Sequence, residues 1–548
     1  MEGRQSTISV WAWISQLWQR ILFPVTSEPV NSSLPWFWSA CFYAVAALLC
    51  FGNLNHELFE PDETRYAEIP REMLAKGEWV IPLLADEAYL DKPPLFYWSV
   101  MVSYKFFGVG IWQARLSCAL FCFLTLAVCL ELGSLLIGRK AALAGSIMLL
   151  LCPGFLIMGK LLLLDSLITL FTVTGILTGF LAIRQTKLHK TWWTLCAFIC
   201  GLGILTKGPI ALVLIGVPLF IACLLDSRFA RLKPKAWFAW LLVAGFIPLP
   251  WFLLMANKQP DFFNHFFWEH HVKRFLEPFD HQRGVFFYLP ILMGGMLPLI
   301  WFGWQFARKL GSGAGHAFQN PTNGFLLLAG GWCIFFFSLS GCKLPTYILP
   351  AFAPLCLAFG SFLTSECNWK PALLKFTCTA HLALIFLIQF LLLPWYANFR
   401  SPMAHREHIH QVCRDSNLPI LCYPRESNAI AFELKRNHLK NYRSKEFDEF
   451  REVLLSQPKT VILCTHRHAL QGLKQLLPDF LTVTHEYRCS LEAPNFLDHS
   501  QAKKFIKAMG ETSLGLCDIA VVEHRSQETI RQASYQTQPK KLPLNLED

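Results

Sequence analysis

The amino-acid sequence predicts a mostly α-helical, polytopic membrane protein with about eleven transmembrane helices and a small soluble α/β domain near its C-terminal end. The 548 residues are 53% hydrophobic and only 16% charged, which is more apolar surface than one soluble domain can bury. The apolar residues fall in runs long enough to cross the hydrocarbon layer of a bilayer. After Asn398 the composition turns polar, and strand-like runs alternate with amphipathic stretches, which is typical of an α/β domain.

The charge pattern argues against a nucleic-acid-binding protein. The formal net charge is +11, but the lysines and arginines gather in short gaps between apolar runs and form no basic stripe with interleaved aromatic residues. The 19 cysteines lie mostly inside apolar runs and show no CxxC pair or Cys/His zinc spacing. They are interpreted as small core residues.

Length and hydropathy place the membrane spans. The segment 93–109 is apolar but short and aromatic, so it is predicted to lie along the membrane interface. The eleven candidate spans are 34–54, 112–137, 141–159, 166–183, 191–206, 209–225, 236–256, 285–306, 324–341, 345–364 and 372–396.

The positive-inside rule orients these spans. With the N-terminus in the cytoplasm, the basic loops 139–140, 184–190, 226–235 and 308–309 are cytoplasmic. The opposite short loops hold only isolated lysines, namely Lys160, Lys207 and Lys343. We therefore expect a membrane protein whose outer face carries the loops 55–111 and 257–284 and everything after Asn398.

Four regions follow from this organisation. Residues 1–33 form a cytoplasmic segment with an amphipathic interfacial helix at Ile8–Val25, and residues 34–397 form the transmembrane domain. Residues 398–525 form an extracytoplasmic α/β domain, and the polar residues 526–548 form a disordered tail. The predicted strands of the α/β domain are 418–423, 461–466, 480–487 and 517–524, and its helical stretches include 427–437 and 466–477.

Charge is concentrated in PDETRYAEIPREM (Pro61–Met73), directly after the first span. Asp62 is predicted to open a short helix and could cap it, and Pro70 should interrupt or restart that helix because proline lacks the N–H that a helix requires.

Three further acids in this stretch have an open role. Glu63, Glu68 and Glu72 are either caps and surface ion pairs or functional carboxylates, and their spacing does not decide between these readings.

An aspartate at a span end is a stronger signal. Asp165 stands between apolar residues, where an unpaired carboxylate costs roughly 2.5–3.5 kcal/mol, so it needs a lysine partner or a function. Lys92, Lys207 and Lys343 stand at other outer span ends, each beside Gly or Pro. The cluster predicts either a site for an anionic ligand or a set of interfacial ion pairs.

Aromatic residues and histidines alternate in PDFFNHFFWEHHVKRF (Pro260–Phe275). Most of this loop is interpreted as an amphipathic interfacial helix with an aromatic belt. Histidines and carboxylates on the same face also allow a metal ion, although no HExxH-type spacing is present.

The outer-face motifs resemble those of bacterial aminoarabinose transferases, which modify lipid A, and of the wider protein O-mannosyltransferase superfamily of polyprenyl-phosphate-dependent glycosyltransferases with the GT-C fold. The resemblance begins with PDETRYAEIPREMLAKGEWVIP and YLDKPPLFYW, and continues in the same order with LLLDSLITLF, LTKGPIALV, PDFFNHFFWEHHVKRF and CKLPTYILP. It covers about residues 55–360.

The resemblance implies roles for particular residues. Asp62 would be the catalytic carboxylate near the acceptor, and Asp165 a second active-site acid. The residues that would bind the donor's lipid phosphate are Lys92, Arg65, Arg274 and Tyr347, to which the outer span-end lysines Lys207 and Lys343 are added.

The resemblance also implies a divalent metal site at Asp91 and His271. In the aminoarabinose transferases the residue before the KP lysine is usually Glu, whereas Asp91 is one methylene shorter. A serine is usual in the family at the position of Pro70. The aminoarabinose transferases have more spans before their soluble domain. The resemblance further implies a bacterial inner-membrane protein with its active site on the periplasmic face.

The expected activity is transfer of an aminoarabinose-like sugar, with inversion, from a polyprenyl phosphate to lipid A or another envelope acceptor. The expected partners are membrane lipids, the polyprenyl-phosphate sugar and the acceptor, with no nucleic acid, and the expected state is a monomer. Protein O-glycosylation within the same superfamily is the alternative. A polytopic lipid or sugar transporter is an alternative from another class, although transporters place ionisable residues near the bilayer midplane and often show inverted repeats, neither of which is evident here.

Overall fold

The computed structural model describes residues 35–524, apart from 227, 274–280, 298–302, 304–319, 366–370, 402, 404–405, 415–417, 425–426, 437–438, 466–468, 479–480 and 488–516. The predicted interfacial helix at Ile8–Val25 and the predicted tail 526–548 lie outside the described residues.

The part up to Arg400 is almost entirely helical. Its α-helices are α1 (Trp36–Phe51), α2 (Asp62–Lys76), α3 (Leu95–Phe107), α4 (Ile111–Ile137), α5 (Arg139–Leu150), α6 (Pro153–Lys160), α7 (Asp165–Ile183), α8 (Lys190–Lys207), α9 (Ile210–Leu225), α10 (Pro234–Phe246), α11 (Leu249–Lys258), α12 (Tyr288–Gly295), α13 (Pro321–Leu339), α14 (Leu349–Ser365), α15 (Pro371–Leu387) and α16 (Leu393–Arg400).

Several helices are long and apolar enough to cross a membrane. Among the described residues there are five such helices, or up to seven if each of two bent helix pairs is one span. The pairs are α5 with α6, bent by 63°, and α10 with α11, bent by 50°. Both breaks precede a helix that begins beside a proline, Pro153 or Pro248, as expected from the missing N–H of proline. Helices α1 and α9 are apolar but shorter, and the total of eleven spans stays a prediction.

Helix α7 lies at the centre of the bundle. Nearly every one of its residues is buried, and it packs against α4, α8 and α9. Near its C-terminal end the rings of Phe180 and Phe325 stack with centroids 4.2 Å apart. The helix is apolar all round, which is the pattern of a span enclosed by other helices.

Helices α5 and α14 approach each other closely because of a glycine. A Cβ at Gly360 would lie 2.4 Å from the backbone oxygen of Ala141 and 2.4 Å from the nitrogen of Gly145. Small residues let backbones meet in this way when no hydrophobic force drives helices together in lipid.

The loop after α1 forms a compact layer rather than an open connection. Helix α2 is followed by a short antiparallel hairpin of β1 (Leu83–Leu84) and β2 (Glu87–Ala88) and then by α3. Helix α3 covers most of the predicted interfacial segment 93–109, and one of its faces is buried.

Two sequence expectations about α2 are wrong. Pro61 occupies the N-cap position and Asp62, the first residue of the helix, makes no capping hydrogen bond. The helix also runs through Pro70 without a break. Tyr66 to Met73 are all buried, and this packing offsets the roughly 3 kcal/mol that an internal proline costs a helix.

The three glutamates of α2 form ion pairs, and the carboxylates of Glu63, Glu68 and Glu72 are buried rather than on the surface. Glu68 accepts a hydrogen bond of 2.7 Å from Arg71 Nε, and these side chains are 3% and 6% exposed. Glu72 is fully buried, pairs with Lys76 at 3.4 Å and accepts a hydrogen bond of 2.7 Å from the Asp86 backbone N–H. The hydrogen bond between Glu72 and Asp86 attaches the hairpin to α2.

The most enclosed ion pair joins Glu63 of α2 to Arg115 of α4. Their side chains are 2% and 1% exposed, and Arg115 Nη2 lies 2.6 Å from Glu63 Oε2. Arg115 also donates to the backbone oxygens of Leu54, His56 and Glu57. Glu63 in addition accepts the backbone N–H groups of Phe59 and Leu162, at 3.0 and 2.7 Å.

The charge of Glu63 is compensated within this pair. Burial raises the pKa of the Glu63 carboxyl, but the charge and hydrogen bonds of Arg115 outweigh burial and lower it. The pair therefore ties the start of the outer loop to α4 and to the segment before α7.

A mixed five-stranded sheet follows the helical part, in the order β4-β3-β5-β7-β6. Strands β3 and β4 and strands β3 and β5 are parallel, whereas β7 is antiparallel to β5 and β6. The elements of this part are α17 (Arg406–Arg414), β3 (Ile420–Tyr423), α18 (Asn428–Leu434), β4 (Lys440–Asn441), α19 (Phe447–Ser456), β5 (Lys459–Cys464), α20 (Ala469–Leu476), β6 (Leu481–Tyr487) and β7 (Asp518–His524). The four predicted strands correspond to β3, β5, β6 and β7, while the separate α/β domain stays a prediction.

We expect Arg115→Met to destabilise the protein strongly. The substitution leaves Glu63 buried without its cation, and breaking a buried pair in this way costs about 3–5 kcal/mol. Thermal unfolding of the detergent-purified protein measures the effect, with Arg139→Met as the control because the Arg139–Glu131 pair is largely exposed. Equal losses of stability in the two variants would contradict the role given to Arg115.

Candidate active site

Asp62 stands at the outer edge of the bundle with its side chain accessible. Its carboxylate is 46% exposed and lies 3.9 Å from Nη1 of Arg65, one turn further along α2. The Arg65 guanidinium lies over the ring of Tyr89, 6.0 Å from its centroid. An exposed carboxylate beside a partly enclosed cation is available to a substrate.

Tyr89 stands between this pair and the next acid in the sequence. Burial, followed by the charge of Asp91, raises the pKa of the Tyr89 phenol. Lys92 follows Asp91 in the chain and donates a hydrogen bond of 3.0 Å to the Asp91 backbone oxygen. Asp62, Arg65 and Tyr89 therefore lie beside one another, and Asp91 and Lys92 follow Tyr89 closely in the sequence.

Two histidines converge on Asp91. His265 Nε2 and His270 Nε2 lie 3.3 and 3.0 Å from Asp91 Oδ1. Burial by itself raises the pKa of Asp91, but hydrogen bonds from His270 and His265 and the charge of Lys92 outweigh it and hold the pKa well below its usual range. The helix that carries both histidines is a π-helix, Asn264–Lys273.

These three side chains fit a metal ion. One ligand atom from each of Asp91, His265 and His270 lies within 4.8 Å of the others, and a carboxylate with two imidazoles is a donor set that zinc accepts at about 2.0–2.2 Å. The sequence prediction paired Asp91 with His271, whose side chain lies outside the described residues. The cluster therefore contains the predicted Asp91, together with His265 and His270, which the sequence did not identify as ligands.

A second cluster lies where α8 ends, α7 begins and the short turn before α14 passes. Lys207 at the end of α8 forms an ion pair of 2.6 Å with Asp165 at the start of α7. The same ammonium lies over the ring of Tyr347, 4.4 Å from its centroid. Of the two explanations that the sequence allows for Asp165, the lysine partner is observed.

Tyr66 lies between the two clusters. Burial raises the pKa of its phenol, Tyr89, Asp62 and Asp165 raise it further, and Arg65 lowers it. Its ring stacks on Tyr97 at a centroid distance of 6.1 Å. The two groups of charges therefore act on one buried side chain although Asp62 and Asp165 are about a hundred residues apart in the chain.

One predicted phosphate ligand, Lys343, contacts backbone oxygens rather than these clusters. Lys343 is 3% exposed and donates hydrogen bonds to the backbone oxygens of Arg283, at 3.0 Å, and Ser340, so its contacts hold the turn before α14. Arg274 lies outside the described residues.

The sequence interpretation did not single out Tyr66, Tyr89, His265 or His270. The two tyrosines flank the charged motifs, and the two histidines lie on the same helical face as one another within an aromatic loop. Their proximity to charged residues was a usable signal, but which of the neighbouring histidines faces Asp91 depends on the π-helical turn.

Comparison with known proteins finds similarity to the same kinds of enzyme that the sequence motifs resemble. Residues 36–266 match the family model of dolichyl-phosphate-mannose-protein mannosyltransferases. Undecaprenyl phosphate-α-4-amino-4-deoxy-L-arabinose arabinosyl transferases from Serratia proteamaculans and Yersinia enterocolitica are each 35% identical, over 335 and 336 residues. These alignments cover 59% and 60% of this chain and 58% and 59% of the relatives, so the match spans under two thirds of the relatives' length.

The fold has a close counterpart among solved structures. The crystal structure of ArnT from Cupriavidus metallidurans bound to undecaprenyl phosphate superposes with a TM-score of 0.70 at 20% identity, covering 89% of this chain and 98% of that one. Its apo form gives a TM-score of 0.68 at 21% identity and covers 88% of this chain and 98% of that one. At these identities the likeness establishes the fold.

The ordered outer-face motifs, the matched family model and the shared fold agree with one another. Over residues 36–266 the chain is similar to the dolichyl-phosphate-mannose-protein mannosyltransferases, over about 335 residues it is similar to the aminoarabinose arabinosyl transferases, and it has the fold of ArnT.

Proposed function

We propose that this protein is an integral-membrane glycosyltransferase that moves an aminoarabinose-like sugar from a polyprenyl-phosphate donor to an envelope acceptor such as lipid A. The observation that carries the proposal is the ion pair of Asp165, at the start of the apolar helix α7, with Lys207, together with the pair of Asp62 and Arg65 on α2. The names of the similar arabinosyl transferases and the undecaprenyl phosphate bound to the similar structure support this donor class.

The cations assist the leaving group. When the glycosidic bond breaks, negative charge develops on the oxygen that joins the sugar to the lipid phosphate, and fixed positive charges stabilise that charge. Lys92 and Arg65 come from the outer loop, and Lys207 contacts both Asp165 and Tyr347. We propose that these residues, with Arg274, hold the phosphate, and that Lys343 supports the turn that carries Tyr347.

Asp62 acts on the other substrate. Its exposed carboxylate accepts the proton of an attacking hydroxyl on the face of the sugar opposite to the phosphate, which gives inversion at the anomeric carbon. If the acceptor is a lipid A phosphate, no proton has to be removed, and Asp62 instead orients the incoming group. Asp165 keeps Lys207 in place beside Tyr347.

A divalent metal ion would be held by Asp91, His265 and His270. When bound, it would supply a fixed positive charge near the phosphate end of the donor. These side chains also hold the loop of Asp91 against the π-helix, because Asp91 contacts both histidines.

Protein O-glycosylation is the second candidate function. The match of residues 36–266 to the dolichyl-phosphate-mannose-protein mannosyltransferase family model favours it. Both functions use a polyprenyl-phosphate donor and differ in the acceptor. Mass spectrometry of lipid A from cells with and without this chain distinguishes them, since only lipid A transfer changes the mass of lipid A.

The topology is proposed to have about eleven spans, with the active site and the α/β domain on the periplasmic face and the protein acting as a monomer. The bias of arginine and lysine across the short loops supports this orientation. A reporter fused after Asn398 is expected to be active only outside the cytoplasm. Activity of a cytoplasmic reporter at the same position would overturn the orientation and with it the placement of the active site.

Asp62→Asn is expected to give a stable, donor-binding and nearly inactive protein. Asp62 forms no capping hydrogen bond, so the substitution should leave thermal stability unchanged, whereas loss of a general base lowers the rate by roughly two to four orders of magnitude. Release of free polyprenyl phosphate by the purified protein measures the rate, and binding of polyprenyl phosphate measures donor affinity.

Lys92→Ala is the contrasting variant, because it should weaken polyprenyl-phosphate binding as well as transfer. The exposed Lys105, on the outer part of α3, provides the control, and Lys105→Ala should behave like wild type. An active Asp62→Asn protein, or a Lys92→Ala protein with wild-type donor affinity, would refute the role given to that residue.

Removal of His270 tests the proposed metal site. We expect purified wild-type protein to bind about one equivalent of zinc, measured by elemental analysis after dialysis, and His270→Ala to lose it because three protein ligands are reduced to two. His281→Ala provides the control, since His281 is not one of the three clustered ligands. Equal zinc content in all three proteins would rule out this site.

A further inference from the structure

Glu60, two residues before Asp62, is bound by the C-terminal part of the chain. Its Oε1 accepts hydrogen bonds from Ser427 Oγ at 2.7 Å and from the backbone N–H of Ala429 at 2.9 Å. Ala429 lies in the first turn of α18, and Ser427 makes no side-chain cap to its own helix. The first turn of α18 has backbone N–H groups that need an acceptor, and the Glu60 carboxylate of the outer loop is that acceptor.

Apolar packing supports the same junction. Phe432 of α18 is 4% exposed and belongs to the buried cluster that contains Tyr66 and Ala67 of α2. Its ring lies 6.3 Å from that of Tyr104, whose hydroxyl donates a hydrogen bond of 3.1 Å to the Ala67 backbone oxygen. Helix α18 is thus packed against the helix that begins with Asp62.

A second junction lies just upstream. Ser401 Oγ donates to Glu57 Oε2 at 3.3 Å, and the ring of Phe59 lies 5.7 Å from that of Tyr396. The segment Glu57–Glu60 is therefore held by Tyr396, at the end of the last predicted span, and by Ser401 beyond it, while Arg115 holds the segment from α4. A flexible connection to the α/β part would not need hydrogen bonds at both Glu57 and Glu60, on the two sides of Phe59.

We propose that Glu60 and helix α18 are positioning elements of the active site, which hold the first turn of α2 so that the Asp62 carboxylate faces the acceptor. The C-terminal part then acts on the reaction through the loop rather than by touching the donor phosphate. The inference rests on the proposed function for its catalytic consequence, but its structural content, a loop held by Glu60, can be tested separately.

The consequence is specific to one kinetic step. Arg65 and Lys92 bind the donor through side chains that do not contact Ser427, so donor affinity should be nearly independent of Glu60. The orientation of Asp62 matters only when the acceptor attacks, and misplacement of a reacting group slows that step. A loss of kcat with little change in donor affinity is the expected signature.

The experiment compares Glu60→Ala, Glu60→Gln and Ser427→Ala, with Glu433→Gln as the matched control. Glu433 is also a carboxylate of α18, but its partner is His410, at 3.0 Å, and not the outer loop. We expect Glu60→Ala to lower kcat by about ten- to hundred-fold, the range for losing hydrogen bonds to a charged group, while binding of polyprenyl phosphate stays near wild type. Glu60→Gln keeps a side-chain oxygen acceptor and should recover part of the rate, and Glu433→Gln should match wild type.

Hydrogen exchange gives a readout that needs no sugar transfer. Backbone amides of residues 62–66 should exchange faster in Glu60→Ala and in Ser427→Ala than in wild type, and the two effects should not add in the double variant because both remove the same contact. Unchanged exchange in Glu60→Ala would overturn the proposal even if the protein is an active transferase. Faster exchange with an unchanged kcat would overturn the catalytic consequence, whereas inactivity of the wild-type protein would count against the proposed function alone. If Glu60→Ala does not fold, Ser427→Ala and Glu60→Gln provide the same comparison.

Discussion

The buried ion pair of Glu63 and Arg115 is the constraint on which the outer face depends. A charge enclosed to this degree is stable only with a partner and with its remaining hydrogen-bonding atoms satisfied. Arg115 meets this condition by binding Glu63 together with three backbone oxygens of the preceding segment. The side chain that neutralises the acid therefore also determines the path of the chain between α1 and α2, and Asp62 occupies the end of that path.

The candidate site uses the same physical rule in a more open setting. Asp165 and Lys207 neutralise each other at two helix ends, and Asp91 is compensated by His265 and His270. These pairs leave the charges at the boundary between apolar helices and the outer face, which suits a substrate with a lipid tail and an anionic head. The contacts of Glu60 with Ser427 and Ala429 extend the framework to the C-terminal part.

Sequence reasoning found acids and cations better than it found their partners. It selected Asp165 and Lys207 because a charge at a span end needs an explanation, and the structure brings these two together. It selected Asp91, and gave Asp62 its catalytic role, through the family resemblance. It did not foresee that Glu63 pairs with Arg115, because the two residues are far apart in the chain and Arg115 lies within an apolar run. It expected a break at Pro70 because the local cost of a proline is visible in a sequence and the packing that offsets it is not.

By itself the sequence determined the class of the protein, the helical nature of its membrane part, the strands near its C-terminal end and the ordered motifs through which it resembles the aminoarabinose transferases. These features depend on composition and on local periodicity, which a linear pattern records. Only the tertiary structure decided which histidines reach Asp91, that Lys207 lies between Asp165 and Tyr347, and that Glu60 binds α18. Each of these is a contact between distant segments, and its geometry is set by how whole helices pack rather than by the residues on either side of it.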